Sequence, residues 1–128
     1  MLNIIIYIFS YDIWFYISHV LLHKIHFLRT IHKNHHLTNY KTIVFTDAYI
    51  GHYLEYPFQS IGIFFPLYFI NFYYYEFITV IFLLNIRTMI HHDHRLSFLH
   101  HDHHILHHKY PNYNFGEYWI DYFFGTNY

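Results

Sequence analysis

The chain has no cysteine. That single absence excludes a disulfide framework, a thiolate metal site and a cysteine nucleophile. Charge is also scarce: Asp, Glu, Lys and Arg make up 12% of the 128 residues, whereas Phe, Tyr and Trp make up 26%. A chain this apolar is no ordinary soluble domain. Basic residues are not in excess, with seven Lys and Arg against eight Asp and Glu, so nucleic acid is not an expected partner. Alanine occurs once, at Ala48, beside abundant Ile, Phe, Tyr and Asn. Such a bias fits A/T-rich coding and leaves no individual Tyr or Phe informative by its mere presence. No low-complexity linker or domain boundary interrupts the chain, and its length allows one domain at most.

What is abundant is histidine, sixteen in all. The densest run is His100-His101-Asp102-His103-His104-Ile105-Leu106-His107-His108. Read as a helix, His104, His107 and His108 stand at i, i+3 and i+4 on one face, like one wall of a metal site. Two such walls lie upstream: His19 with His23, and His32 with His35 and His36. One His-x-x-His is a weak signal, but three clusters in one short chain are a strong one.

Residues 2–22 are almost wholly apolar and long enough for a membrane-spanning helix of about 20 residues. No positively charged segment precedes them and no small-residue cleavage site follows, so a signal peptide is not expected. A carboxylate inside such a helix is costly and points to function. Asp12 lies two turns before His19, which predicts that it orients that imidazole. Residues 57–70 and 72–86 are each short for a full span and predict a bent or re-entrant hairpin, with Pro66 and Asn71 at its turn. All seven Lys and Arg fall within 24–41 and 87–109. By the positive-inside tendency both stretches face the cytoplasm, which puts the three histidine clusters on one side of the membrane. The expected fold is all-α: an integral membrane helical domain with a histidine-rich helical cap on the cytoplasmic side. The last segment reads as a turn over 110–116 and a short apolar helix ending at Gly125.

Eight clustered imidazoles exceed the four ligands of a closed zinc site and suit two metal ions with open positions. Iron fits such donors, and zinc and manganese remain open by ligand type alone. As solvated imidazoles they would release metal when the pH falls through about 6.5.

The order His-x-x-x-His, His-x-x-His-His, a central histidine, then His-x-x-His-His resembles the fatty acid hydroxylase/sterol desaturase superfamily. The run from Leu22-His23 through Leu28-Arg29-Thr30-Ile31-His32-Lys33-Asn34-His35-His36 is similar to the sterol C5-desaturase branch. So are Asn85-Ile86-Arg87-Thr88 before His92-Asp93, and Asn112-Tyr113-Asn114-Phe115-Gly116 after the last box. Trp119, Asp121 and Gly125-Thr126 echo the family's closing pattern. The resemblance spans Asp12 to Thr126.

It implies a membrane-bound di-iron oxidoreductase, with two iron ions, that uses O2 to hydroxylate or desaturate a sterol or fatty acyl C–H bond. The metal ligands it implies are His19, His23, His32, His35, His36, His92, His104, His107 and His108. His52, His91 and His103 are additional candidates, and His52 with Glu55 matches the histidine-x-x-glutamate of other branches. Asp12, Asp93, Asp102 and Asp121 are expected to orient imidazoles. His26, His94, His100 and His101 are expected at the surface. The implied partners are a lipid substrate, an endoplasmic-reticulum-like membrane, and cytochrome b5 with its NAD(P)H-dependent reductase as electron donor. A homo-oligomer is a further expectation. The family usually carries more membrane helices before its first box, so residues 1–128 read as one N-terminally short domain. Two other readings fit the same residues: a membrane protein that binds metal without chemistry, and a remnant that needs a partner to complete its lipid pocket.

Overall fold

Ile and Phe are indifferent helix formers in water, yet they crowd the N-terminal segment. In hydrocarbon the backbone must satisfy its own hydrogen bonds, and a helix is the local way to do so. The computed structural model, which describes residues 2–100 and 102–128, has α1 over Leu2–Lys24. At 1.5 Å per residue its 23 residues reach about 34 Å, enough for a bilayer core. Among the described residues it is the one helix long and apolar enough to cross a membrane. Every described element is helical.

Helix α2 (His26–His32) follows after one residue and a 3₁₀ turn over His35–Leu37 succeeds it. Helix α3 (Glu55–Ser60) continues as a 3₁₀ helix through Tyr68, and α4 spans Tyr74–His91. The expected hairpin is therefore present: its turn at 69–73 contains Asn71, while Pro66 lies just before it, its carbonyl taking the amides of Phe69 and Ile70. Short α5 (Ser97–His100), α6 (His103–Lys109) and α7 (Tyr118–Phe124) complete the fold, α7 stopping at Gly125.

Contacts along α1 set the packing. Ser10 Oγ donates to the Gly62 carbonyl and Trp14 Nε1 to that of Phe58, so the α3 segment runs antiparallel to α1. Asn3 Nδ2 donates to Glu76 Oε2 at 2.7 Å, and Arg87 pairs with Asp12, so α4 runs parallel to it. Tyr7, Ile63, Val80 and Leu84 fill the space between the three. The approach is close enough to require glycine at 62, where a Cβ would sit 2.5 Å from Trp14 Cβ. Outward, Ile5, Phe9, Ile13 and Ile17 on α1 and Ile78, Phe82 and Ile86 on α4 form exposed stripes at four-residue spacing. Stripes of that size suit lipid rather than water.

Asp12 does not face His19. It is buried against the Arg87 guanidinium, which also reaches Glu117 Oε1 at 3.3 Å and lies over the Tyr11 ring. The reason is electrostatic: a carboxylate out of water needs a full opposite charge more than it needs a neutral imidazole. Replacing Arg87 with Leu leaves that carboxylate unpaired and is expected to cost about 3–5 kcal/mol. The double variant Asp12→Leu/Arg87→Leu is expected to recover most of the loss, read by thermal unfolding in detergent.

Candidate metal centre

The C-terminal end of α1 carries His19 and His23 toward α2, the end of α4 and α6. Their imidazoles gather into two groups. His19, His23, His32, His36 and His107 form one, and His35, His92, His104 and His108 the other, with the ligand atoms of each group within 4.8 Å of one another. All nine histidines that the boxes single out fall in these groups. His19 and His23 both serve the first group, but neither of the two later boxes forms a single wall. In each His-x-x-His-His run the i and i+4 residues serve one group and the i+3 residue serves the other. Thus His32 and His36 join the first group and His35 the second, while His104 and His108 join the second and His107 the first. Successive helical side chains differ by about 100°, so adjacent histidines point to two centres rather than one.

Proton positions follow from what the far ring nitrogens touch. His19 Nδ1 meets the Phe115 carbonyl at 2.5 Å, His107 Nδ1 that of Tyr113 at 2.6 Å, His35 Nδ1 that of Ile50 at 2.9 Å and His92 Nδ1 that of Thr88 at 2.8 Å. A carbonyl only accepts, so each Nδ1 carries its proton and each Nε2 has a bare lone pair. His32 Nδ1 likewise faces Glu55 Oε1 at 2.7 Å. The Nε2 atoms then face one another: His19 and His32 at 3.0 Å, and His35 and His92 at 3.0 Å. No proton is available to bridge the second pair, and none bridges the first when Glu55 is ionised. Further Nε2 contacts link His36 to His32, His23 and His107 at 2.9–3.2 Å. Neighbouring nitrogens about 3.0 Å apart are what a cation with metal–nitrogen bonds of about 2.1 Å requires. His108 Nε2 is buried with no partner among the described residues. The donor set fits metal.

Burial keeps these rings neutral. Desolvation depresses His36 to about 3 and holds His32, His35, His104, His107 and His108 below the ordinary histidine value, with neighbouring imidazoles adding to the effect for all of these but His35. Burial alone lifts the Glu55 carboxyl to about 8; a cation on the far nitrogen of His32 would pull it back down and be partly neutralised by it.

The remaining candidates lie elsewhere. His52 accepts the Leu54 amide at its Nδ1, His91 stands 3.8 Å from Glu117, and His103 Nε2 meets Asp121 Oδ2 at 3.0 Å. None of the three joins either group. Asp93 is held by Arg95 rather than by an imidazole. Asp102 begins α6 in a left-handed conformation, φ 58°, and its backbone carbonyl, not its side chain, caps the helix. His26 and His94 are exposed; His101 and the side chain of His100 lie outside the described residues.

Asp121 acts one step back from the site. Fully buried, it takes the amides of Phe115 and Gly116 and the Thr126 hydroxyl. That fixes the loop whose carbonyls at Tyr113 and Phe115 orient His107 and His19. Sequence reasoning missed these four carbonyl acceptors, because every residue has a carbonyl and none carries a signal. Glu55 was visible only through its spacing from His52, and its partner is His32.

Two expectations follow. Asp121→Asn is expected to weaken metal binding about 10–100-fold, measured by chelator competition. The second concerns pH. An unfolded histidine takes its proton near 6.5, and the folded rings do so lower, so the unfolded chain binds more protons below that value. Stability of the metal-free fold is then complete above about 6.5 and falls as pH drops toward the folded values, about 3 for His36. Bound metal is expected to survive at about pH 5.5, contrary to the release expected of solvated imidazoles. Metal analysis after dialysis checks it, and loss centred near 6.5 would contradict the buried site.

The fatty acid hydroxylase family model matches residues 4–126. No curated protein and no solved structure gives a significant match. With the family model covering nearly the whole length, and the nine box histidines converging in two groups, the chain belongs to the fatty acid hydroxylase family.

Proposed function

We propose that the protein is an O2-dependent di-iron enzyme that hydroxylates or desaturates a lipid, sterol or fatty acyl, in an endoplasmic-reticulum-like membrane. The single observation that carries this reading is a cavity of about 240 Å³ between α1, α3 and α4, with His35 and His92 on its wall among Phe15, Ile63, Phe77 and Leu84. An apolar chamber ending on imidazoles suits a hydrocarbon brought to a metal. Bound iron would supply the activation of O2 and the removal of hydrogen from an unactivated C–H bond. The chain's own part is to hold the Nε2 lone pairs ready through their Nδ1 partners, to exclude bulk water with the apolar wall, and to place the lipid against His35 and His92.

A second opening lies across the first group. His23, His36 and His108 meet Arg29, Lys33 and Lys109 there, around a cavity of about 510 Å³. This basic mouth suits an acidic redox protein, with cytochrome b5 and its NAD(P)H-dependent reductase as the donor system. By the positive-inside tendency it faces the cytoplasm. Lipid and electrons would thus arrive by separate routes. Residues 1–128 act in this reading as one domain, and a second copy would cover part of the exposed stripes of α1 and α4. The asparagine, threonine and histidine-aspartate runs support a sterol C5-desaturase-like member.

Expression of the wild-type chain is expected to change the sterol or fatty acyl profile of the host membrane, and His107→Ala to abolish the change. Iron is expected in the purified protein. A metal-binding protein without chemistry would leave the lipid profile untouched in both cases.

A further inference from the structure

Helix α7 presents an outward face that neither the metal groups nor the core uses. Only Ile120 and Asp121 of its residues are buried, whereas Tyr118, Trp119, Tyr122, Phe123 and Phe124 are exposed, Phe123 at 78%. Every exposed residue is aromatic, and the helix's one charged side chain, Asp121, is turned inward. Contiguous apolar surface of this kind marks an interaction or membrane site.

Three contacts set the level of the segment along α1. Gly116 lies against Tyr16, where an added Cβ would come within 3.1 Å of Tyr16 Cβ. The Trp119 ring stacks on Phe9 at 5.4 Å, and the Phe124 ring returns to stack on Tyr16 at 5.0 Å. Tyr16 and Phe9 stand about 10 Å apart along the helix, and Phe9 is the farther of the two from His19 and His23. The chain over 116–124 therefore dips along α1, away from the metal centre, and comes back. Phe9 belongs to the exposed stripe of α1, so the aromatic face of α7 continues a surface suited to lipid. The backbone of the dip is satisfied without solvent. The Asn114 amide donates to the Thr126 carbonyl at 2.8 Å and the Thr126 amide to the Asp121 carbonyl at 2.8 Å. The amides of Phe115 and Gly116 donate to the Asp121 carboxylate at 2.9 and 2.7 Å. Irregular backbone at membrane depth requires internal partners of this sort.

We propose that residues 116–124 form a re-entrant segment in the leaflet nearest the metal centre, with the aromatic face of α7 against phospholipid acyl chains. Trp and Tyr favour the boundary between headgroups and chains. This placement needs only that α1 crosses the bilayer and is independent of the reaction proposed above. It also ties lipid to the centre. Asp121 holds the loop whose carbonyls orient His19 and His107, so bilayer contact at α7 steadies two imidazoles.

Trp14 and Trp119 are the only tryptophans in the chain, so Trp14→Phe leaves Trp119 as a single reporter. The full chain, metal-loaded, is reconstituted in phosphatidylcholine vesicles brominated close to the headgroup or close to the bilayer centre, and separately titrated with aqueous iodide. Trp119 is expected to lose most of its emission to bromine near the headgroup, less to bromine at the centre, and little to iodide. Trp14→Phe/Trp119→Phe/Phe123→Trp carries its one tryptophan at the most exposed position of α7 and is expected to respond alike. On the wild-type background, Phe123→Asp would be close to neutral at a water-facing position. In lipid it is expected to lower the thermal unfolding midpoint in vesicles by several degrees, because acyl chains do not solvate a carboxylate. Quenching by iodide and not by bromine, as water over α7 would give, overturns the proposal. So does insensitivity to both quenchers, as a second copy of the chain over this face would give. An unchanged midpoint for Phe123→Asp overturns it as well.

Discussion

Two nitrogen lone pairs, on His35 and His92, held 3.0 Å apart with no proton between them repel. Much of the structure exists to impose that arrangement. The carbonyls of Ile50, Thr88, Tyr113 and Phe115 take the Nδ1 protons and so deny the Nε2 atoms any hydrogen of their own. Burial of His35 and His92 keeps solvent from supplying one. The remaining way to relieve the repulsion is a positive charge at the centre. In this sense affinity for a cation is built into the fold as stored electrostatic conflict, with helix packing and loop geometry bearing the cost.

That arrangement draws on nearly every part of the chain. The first group takes ligands from α1, α2, the turn after it and α6; the second draws on the same turn, the end of α4 and α6. The loop at 113–116 gives its carbonyls to His19 and His107, and Asp121 holds the loop from the start of α7. The last segment is therefore as much part of the centre as the boxes, although it contributes no imidazole.

Legibility in the sequence followed the physics of each feature. Histidine is a rare and chemically particular residue, so spacing alone singled out eight imidazoles and the family resemblance added His92, all of which the fold brings together. The apolar run of α1 and the hairpin broken near Pro66 were readable for a similar reason, since length and proline leave marks in one dimension. Pairings across long sequence distance were not readable. Asp12 seemed to belong to His19, seven residues away, yet its partner is Arg87, 75 residues away. Periodicity describes one helix at a time and cannot report which charge a neighbouring helix will bring. The division of the two His-x-x-His-His boxes between two centres was also hidden, because a shared face and a shared metal look alike until the other helices are in place.

The Asp12–Arg87–Glu117 network has a consequence for biosynthesis. Helix α1 is made before α4 and carries a carboxylate that, alone at membrane depth, would cost a few kcal/mol. Its counter-charge emerges only with the end of α4, and Glu117 later still. Arg87 follows the second histidine cluster and precedes the third in the chain, so the pairing that satisfies Asp12 becomes available only once five of the nine clustered histidines have been made.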